Sequence, residues 1–77
     1  MQMTIIGMAD VKFTNDVGEM IQGTTLYTAY ESKQVKEGMK TDKVFIQAEI
    51  ELPELKAGDQ VEMFFNNRGK AEYVEKI

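Results

Sequence analysis

In KVFIQAEIEL, residues 43–52, Val44, Ile46, Ala48 and Ile50 alternate with Phe45, Gln47, Glu49 and Glu51. A period of two predicts a strand with one buried face, because successive side chains of an extended chain point to opposite sides. In TIIGMADVKFT, residues 4–14, Ile6 and Met8 have one parity and Val11 and Phe13 the other. Such a change predicts a bulge or sharp bend near Gly7 to Asp10, with Lys12 on the outward face beyond it. MIQGTTLYTAY, residues 20–30, is rich in Thr and Tyr, which favour strand, and Gly23 within it reads as a second bulge. Residues 60–66 and 70–76 read as two closing strands.

The segments between these runs carry turn chemistry. NDVGE (15–19) and NNRG (66–69) read as hairpin turns, since Asn and Asp tolerate a left-handed backbone and Gly adopts it freely. PELKAGD (53–59) turns the chain and holds the only proline. ESKQVKEGMKTD (31–42) is polar and contains Gly38, which predicts a loop with at most one helical turn. The sum is five strands and almost no helix. A small open sheet leaves its apolar face uncovered. The expectation is therefore an all-β fold: a small five-stranded antiparallel barrel, OB-like, with an SH3-like barrel as the alternative. Residues 1–77 suit one domain, which buries only about 60% of its unfolded surface. Association into a homodimer would bury more.

The same alternation sorts the aromatics. Val61, Met63 and Phe65 share one face, while Phe64 shares the other with Gln60, Glu62 and Asn66. Phe65 is expected in the core and Phe64 outside it. Tyr27 and Phe45 also fall off the core parity, so three strands each present one ring. Such rings can cover an open barrel end or stack on unpaired bases, at about 1–3 kcal/mol per base. A subunit interface is a third use, since aromatics are enriched there.

Composition removes several chemistries. The chain has no Cys and no His, which excludes disulfides, thiolate and imidazole metal sites, Cys nucleophiles and His bases. The many carboxylates, among them Glu49, Glu51, Glu54 and Asp59, are spaced as outward and turn positions. None resembles an acid/base pair or a phosphate loop, so no catalysis, metal or other cofactor is expected. MQMTIIGMAD has no basic run ahead of a long apolar one, and no stretch approaches the roughly 20 apolar residues of a membrane span. These features suit a cytoplasmic protein without a membrane partner.

The net charge is −4, which opposes non-specific nucleic-acid binding unless the cations cluster. Lys33, Lys36, Lys40 and Lys43 lie close together, diluted by Glu31, Glu37 and Asp42, and Arg68 and Lys70 lie at the last hairpin. With Lys12 these form the candidate phosphate contacts.

At VKFTNDVGEMIQGTTLYTAY, residues 11–30, the chain resembles the gene V type single-stranded-DNA-binding proteins of filamentous phages. The likeness lies in Phe13-Thr14, the hairpin tip at Gly18, Gln22-Gly23 and the returning strand with Tyr27. KVFIQAEIEL is similar to the family's apolar middle strand. PELKAGDQVEMFF, a Gly hairpin and EYVEKI are similar to its closing strands. The resemblance implies an OB-like barrel, a two-fold dimer and cooperative, largely sequence-independent binding of single-stranded DNA, with the first hairpin as a DNA-binding wing. Where the family's tip has arginines, this chain has Asn15, Asp16, Glu19 and Ile21, so only the Leu26-Tyr27 region carries over.

Two functions are therefore expected to compete. One is a non-catalytic single-stranded nucleic-acid-binding module of a phage or mobile element. It would use Tyr27, Phe45 and Phe64 with the cations named above. The other is a protein-interaction or inhibitory phage accessory domain whose acidic surface suits a basic partner. The charge on the face carrying the rings separates them.

Overall fold

The computed structural model describes residues 1–77. It contains β1 (Gln2–Thr14), β2 (Met20–Tyr30), β3 (Lys40–Gln47), β4 (Gln60–Phe65) and β5 (Ala71–Lys76), and no helix. All pairings are antiparallel, within one sheet of order β3-β2-β1-β4-β5. The fold is thus all-β with five strands, as the alternation predicts. β1 pairs with β2 along almost its whole length, and with β4 only at Gln2–Thr4. This branching curls the sheet until β3 and β5 lie alongside each other. They exchange no ladder hydrogen bonds, so the expected closure is incomplete and the barrel has an open seam. The strand order, a β1–β2–β3 meander joined through β1 to a β4–β5 hairpin, is that of the partly open OB type.

Every strand contributes to one core. Met3 and Ile5 come from β1, Leu26 from β2, Val44 and Ile46 from β3, Val61 and Met63 from β4 and Val74 from β5. Each such side chain contributes about 1.5–3 kcal/mol on full burial. Thr28 is also fully buried; its Oγ1 donates to the Asp42 carbonyl at 3.3 Å, which satisfies its hydroxyl.

The two tight hairpins share one design. Asn15 Oδ1 accepts from the N–H groups of Val17 and Glu19, and Asn66 Oδ1 accepts from those of Arg68 and Lys70. Gly18 (φ 83°) and Gly69 (φ 78°) supply the left-handed residue that each turn needs. The first hairpin projects. β3 pairs with β2 only from Gly23 to Tyr30, so the ribbon beyond it stands clear, and the molecule extends 43 × 25 × 23 Å.

Several expectations are corrected. β3 starts at Lys40 and ends at Gln47, so Ala48 is exposed. The chain turns there, with Ile50 N–H donating to the Gln47 carbonyl, and Ile50, Leu52 and Leu55 pack against the core. The first-strand irregularity lies between Ile5 and Gly7, upstream of its expected place. That reverses the parity beyond it. Phe13 stands outside at 51% exposure, and Lys12, opposite Gln22, lies on the other side of the ribbon. Gly23 is no bulge, since its register is continuous. Phe65 is not core: it is 37% exposed, because the β4–β5 register shifts between Phe64 and Phe65 as the strand leaves the apolar interior.

The turn before β4 is tied to β1. Gly58 N–H donates to the Ile5 carbonyl (2.7 Å), and Ile5 N–H donates to the Asp59 carbonyl (2.8 Å). The Asp59 carboxylate accepts from the Lys56 N–H at 2.9 Å and has Lys76 Nζ at 3.4 Å. The Lys56 hydrogen bond first, then the Lys76 ammonium, hold its carboxyl below the usual carboxylate range against the opposing effect of desolvation. A depressed folded-state value contributes stability above the unfolded pKa, and that stability is lost as pH falls through the folded value. Asp59→Asn should therefore melt below wild type at pH 7. The gap should shrink on acidification below about pH 4. A gap that stays constant from pH 7 to pH 2.5 would show that the ionised carboxylate is not its source.

Candidate nucleic-acid interface

Residues directly opposite in an antiparallel ladder share a face, so the registers define the outer face of β1–β2–β3. Its strand positions are Gly7, Ala9, Val11 and Phe13 of β1, the odd-numbered residues from Ile21 to Ala29 of β2, and Thr41, Lys43, Phe45 and Gln47 of β3. None of the chain's thirteen acidic residues occupies any of these positions. Tyr27 is 41% exposed, Phe45 37%, and Lys43 lies directly opposite Tyr27.

Glycines let these two rings lie down on the sheet. Tyr27 packs over Gly7, its Cδ2 3.5 Å from where a Cβ would stand. Phe45 lies closer still over Gly23, its Cζ 2.7 Å from the corresponding point. A ring resting on glycine backbone keeps its other side for solvent or a ligand. It also loses little freedom on binding, since it is already held.

The third expected ring, Phe64, is exposed but stands elsewhere. It lies opposite Tyr73 on the outer side of β4–β5, with ring centroids 5.6 Å apart and planes inclined at 43°. Glu62 and Glu75, opposite each other on the same side, flank that pair.

At the seam, a groove of about 580 Å³ separates β3 from the β4–β5 hairpin. Lys43, Phe45, Phe65 and Lys70 line it, together with Asp42 and Glu72. The Asp42 carboxylate is engaged by the Lys43 N–H at 2.8 Å. The structure thus brings together Tyr27, Phe45, Lys43 and Lys70, with Arg68 in the adjoining turn. It does not bring the other cations to them. Lys33 and Lys36 stand exposed on the β2–β3 connection, Lys40 donates to Gln34 Oε1 at 2.6 Å, and Lys12 points off the opposite side.

Parity counting from the sequence missed Phe13 and Phe65 as members of this surface. For Phe13 the usable signal was Gly7, whose missing side chain marks both the irregularity and the seat of Tyr27. No group of three or more acidic side chains is arranged to hold a metal ion. No helix is long and apolar enough to cross a membrane. No family model matches the chain, and neither a curated protein nor a solved structure proves significantly similar to it.

Proposed function

We propose that this protein binds single-stranded nucleic acid, DNA in the first instance, on the outer face of β1–β2–β3. Bases stack on Tyr27 and Phe45, with Phe13 at the end of the platform. Lys43, Lys70 and Arg68 meet the backbone phosphates. The carrying observation is a face with aromatic rings seated on glycines and no acidic strand position, in a chain with net charge −4. A surface kept free of carboxylates suits a polyanion, and π-faces accept every base, so binding is sequence-tolerant. The sequence resemblance to filamentous-phage proteins supports the same reading, that of a phage or mobile-element protein.

A second reading belongs to another surface. The Phe64–Tyr73 pair suits a basic protein partner, because the exposed Glu75 beside it repels phosphate and attracts lysine, while Glu62 on the same side is paired with the N-terminal ammonium.

Titration of a fluorescent oligothymidylate at two or more salt concentrations tests the first reading. Two or three phosphate contacts at roughly −0.7 each predict a shallow slope of log K against log salt, about −1.4 to −2.1. No binding at low salt would overturn the proposal. A slope steeper than about −4 would show that cations away from the platform carry the affinity.

A further inference from the structure

Past Ile5, β1 has a neighbour on one side only. β4 covers Gln2–Thr4 and the Gly58–Asp59 turn bonds to Ile5, after which no main-chain group of β1 is bonded on that side. Asn15 N–H donates to the Glu19 carbonyl, so these two form a hydrogen-bonded pair. Alternation along the ladder then turns Ala9, Val11 and Phe13 toward β2. The N–H and C=O groups of Met8, Asp10, Lys12 and Thr14 point away from it. A long open edge of this kind invites another strand; no proline or further bulge blunts it, and the charges on its inner side, Asp10 and Lys12, restrict pairing to a strand that matches them.

We propose that the occupant is a second copy of the chain, its β1 edge paired antiparallel with the first about a two-fold axis at Val11. The sheet itself restricts the choice. Outward-pointing groups sit on even-numbered residues, so even must meet even. Three central registers satisfy this. One sets Asp10 against Asp10, one sets Lys12 against Lys12, and one sets Asp10 against Lys12. Like charges directly opposite are destabilising and opposite charges favourable, which selects the third. The two-fold axis makes the Asp10–Lys12 pair twice. On the outer face the same register sets Val11 against its own copy and Phe13 against Ala9, giving the exposed Phe13 ring an apolar neighbour. The product is a six-stranded sheet, β3-β2-β1 and its copy, with both aromatic platforms on one side. That last consequence rests on the nucleic-acid reading; the pairing itself does not.

Sedimentation equilibrium without nucleic acid, at tens of micromolar, tests it. Wild type should have twice the 8.8 kDa chain mass. Asp10→Lys and Lys12→Asp should each weaken association on the order of tenfold or more, since each sets like charges opposite. An equal mixture of the two variants should recover the dimer, because its cross-pairs are again opposite in sign. That recovery also shows that both variants fold. As the chain has no cysteine, Val11→Cys gives a single thiol on the axis, in a pair whose Cα atoms stand about 4.5–5.5 Å apart. It should cross-link on mild oxidation, and Ala9→Cys, which faces Phe13, should not. A monomeric wild type, or a dimer indifferent to both charge reversals, would overturn the pairing. A monomer that still binds the oligothymidylate would sink the pairing and leave the binding proposal standing.

Discussion

Gly23→Ala is expected to lower the unfolding midpoint by roughly 4–24 °C, while Gly7→Ala leaves it nearly unchanged. Both glycines lie beneath an aromatic ring on the outer face, and neither has a left-handed backbone, so conformation does not separate them. Space does. A Cβ on Gly23 would stand 2.2 Å from the Ile46 carbonyl oxygen, and 2.7 and 2.9 Å from Cζ and Cε1 of Phe45. The ring can lift. The carbonyl belongs to β3, which eight register pairs hold against β2 between Gly23 and Tyr30. Relieving the clash therefore means parting the strands at the end of that ladder. Overpacking of this kind costs about 1–3 kcal/mol, occasionally more. In a chain this short each kcal/mol moves the midpoint by roughly 4–8 °C. At Gly7 the nearest atom is Tyr27 Cδ2 at 3.5 Å, an ordinary contact, and alanine also reduces the freedom of the unfolded chain. Paired thermal melts by circular dichroism decide it. A tolerated Gly23→Ala would mean that Phe45 and the β3 backbone do not press on Gly23 as described.

That contrast also shows how far the sequence could be read. The alternation in KVFIQAEI placed Val44 and Ile46 inward and Phe45 outward correctly, because a period of two is a local property of the strand. The hairpins were legible from Asn and Gly, whose conformational roles are also local. The reading failed where one residue of slippage propagates. An irregularity at Ile5–Gly7 instead of Gly7–Asp10 reverses every side chain as far as Thr14, moving Phe13 to the outer face and Lys12 off it. A second shift, between Phe64 and Phe65, ended the parity argument for Phe65. Gly23 looked like a bulge because a strand glycine marks either a bulge or a close approach, and only the neighbouring strand tells which. The split of the three rings onto two surfaces was not legible either. It depends on which strands pair, and Phe64 finds Tyr73 rather than Phe45.

Tyr27→Ala and Phe45→Ala should each weaken oligothymidylate binding, and Phe64→Ala should leave it unchanged. Each lost stacking partner costs about 1–3 kcal/mol, or roughly 5- to 150-fold in affinity. The salt slope should stay the same in both variants, because no phosphate contact is removed. Lys43→Ala should do the converse, reducing the slope by about 0.7 with a smaller loss of affinity at low salt. None of these side chains is fully buried, and the core cluster contains none of them, so the melting temperatures should move little. Phe64 supplies the control from the same residue type. It is as exposed as Tyr27, but Glu75 stands beside it as an exposed carboxylate, while Glu62 is paired with the N-terminal ammonium, so a phosphate backbone laid there would meet the Glu75 charge. If Phe64→Ala abolished binding while Tyr27→Ala and Phe45→Ala did not, the acid-free face would be only a covered sheet. The β4–β5 hairpin would then hold the site, despite its charge. If all three variants bound like wild type, stacking would have no part in the interaction. The aromatic pair between its glutamates would then remain as the surface for a basic protein.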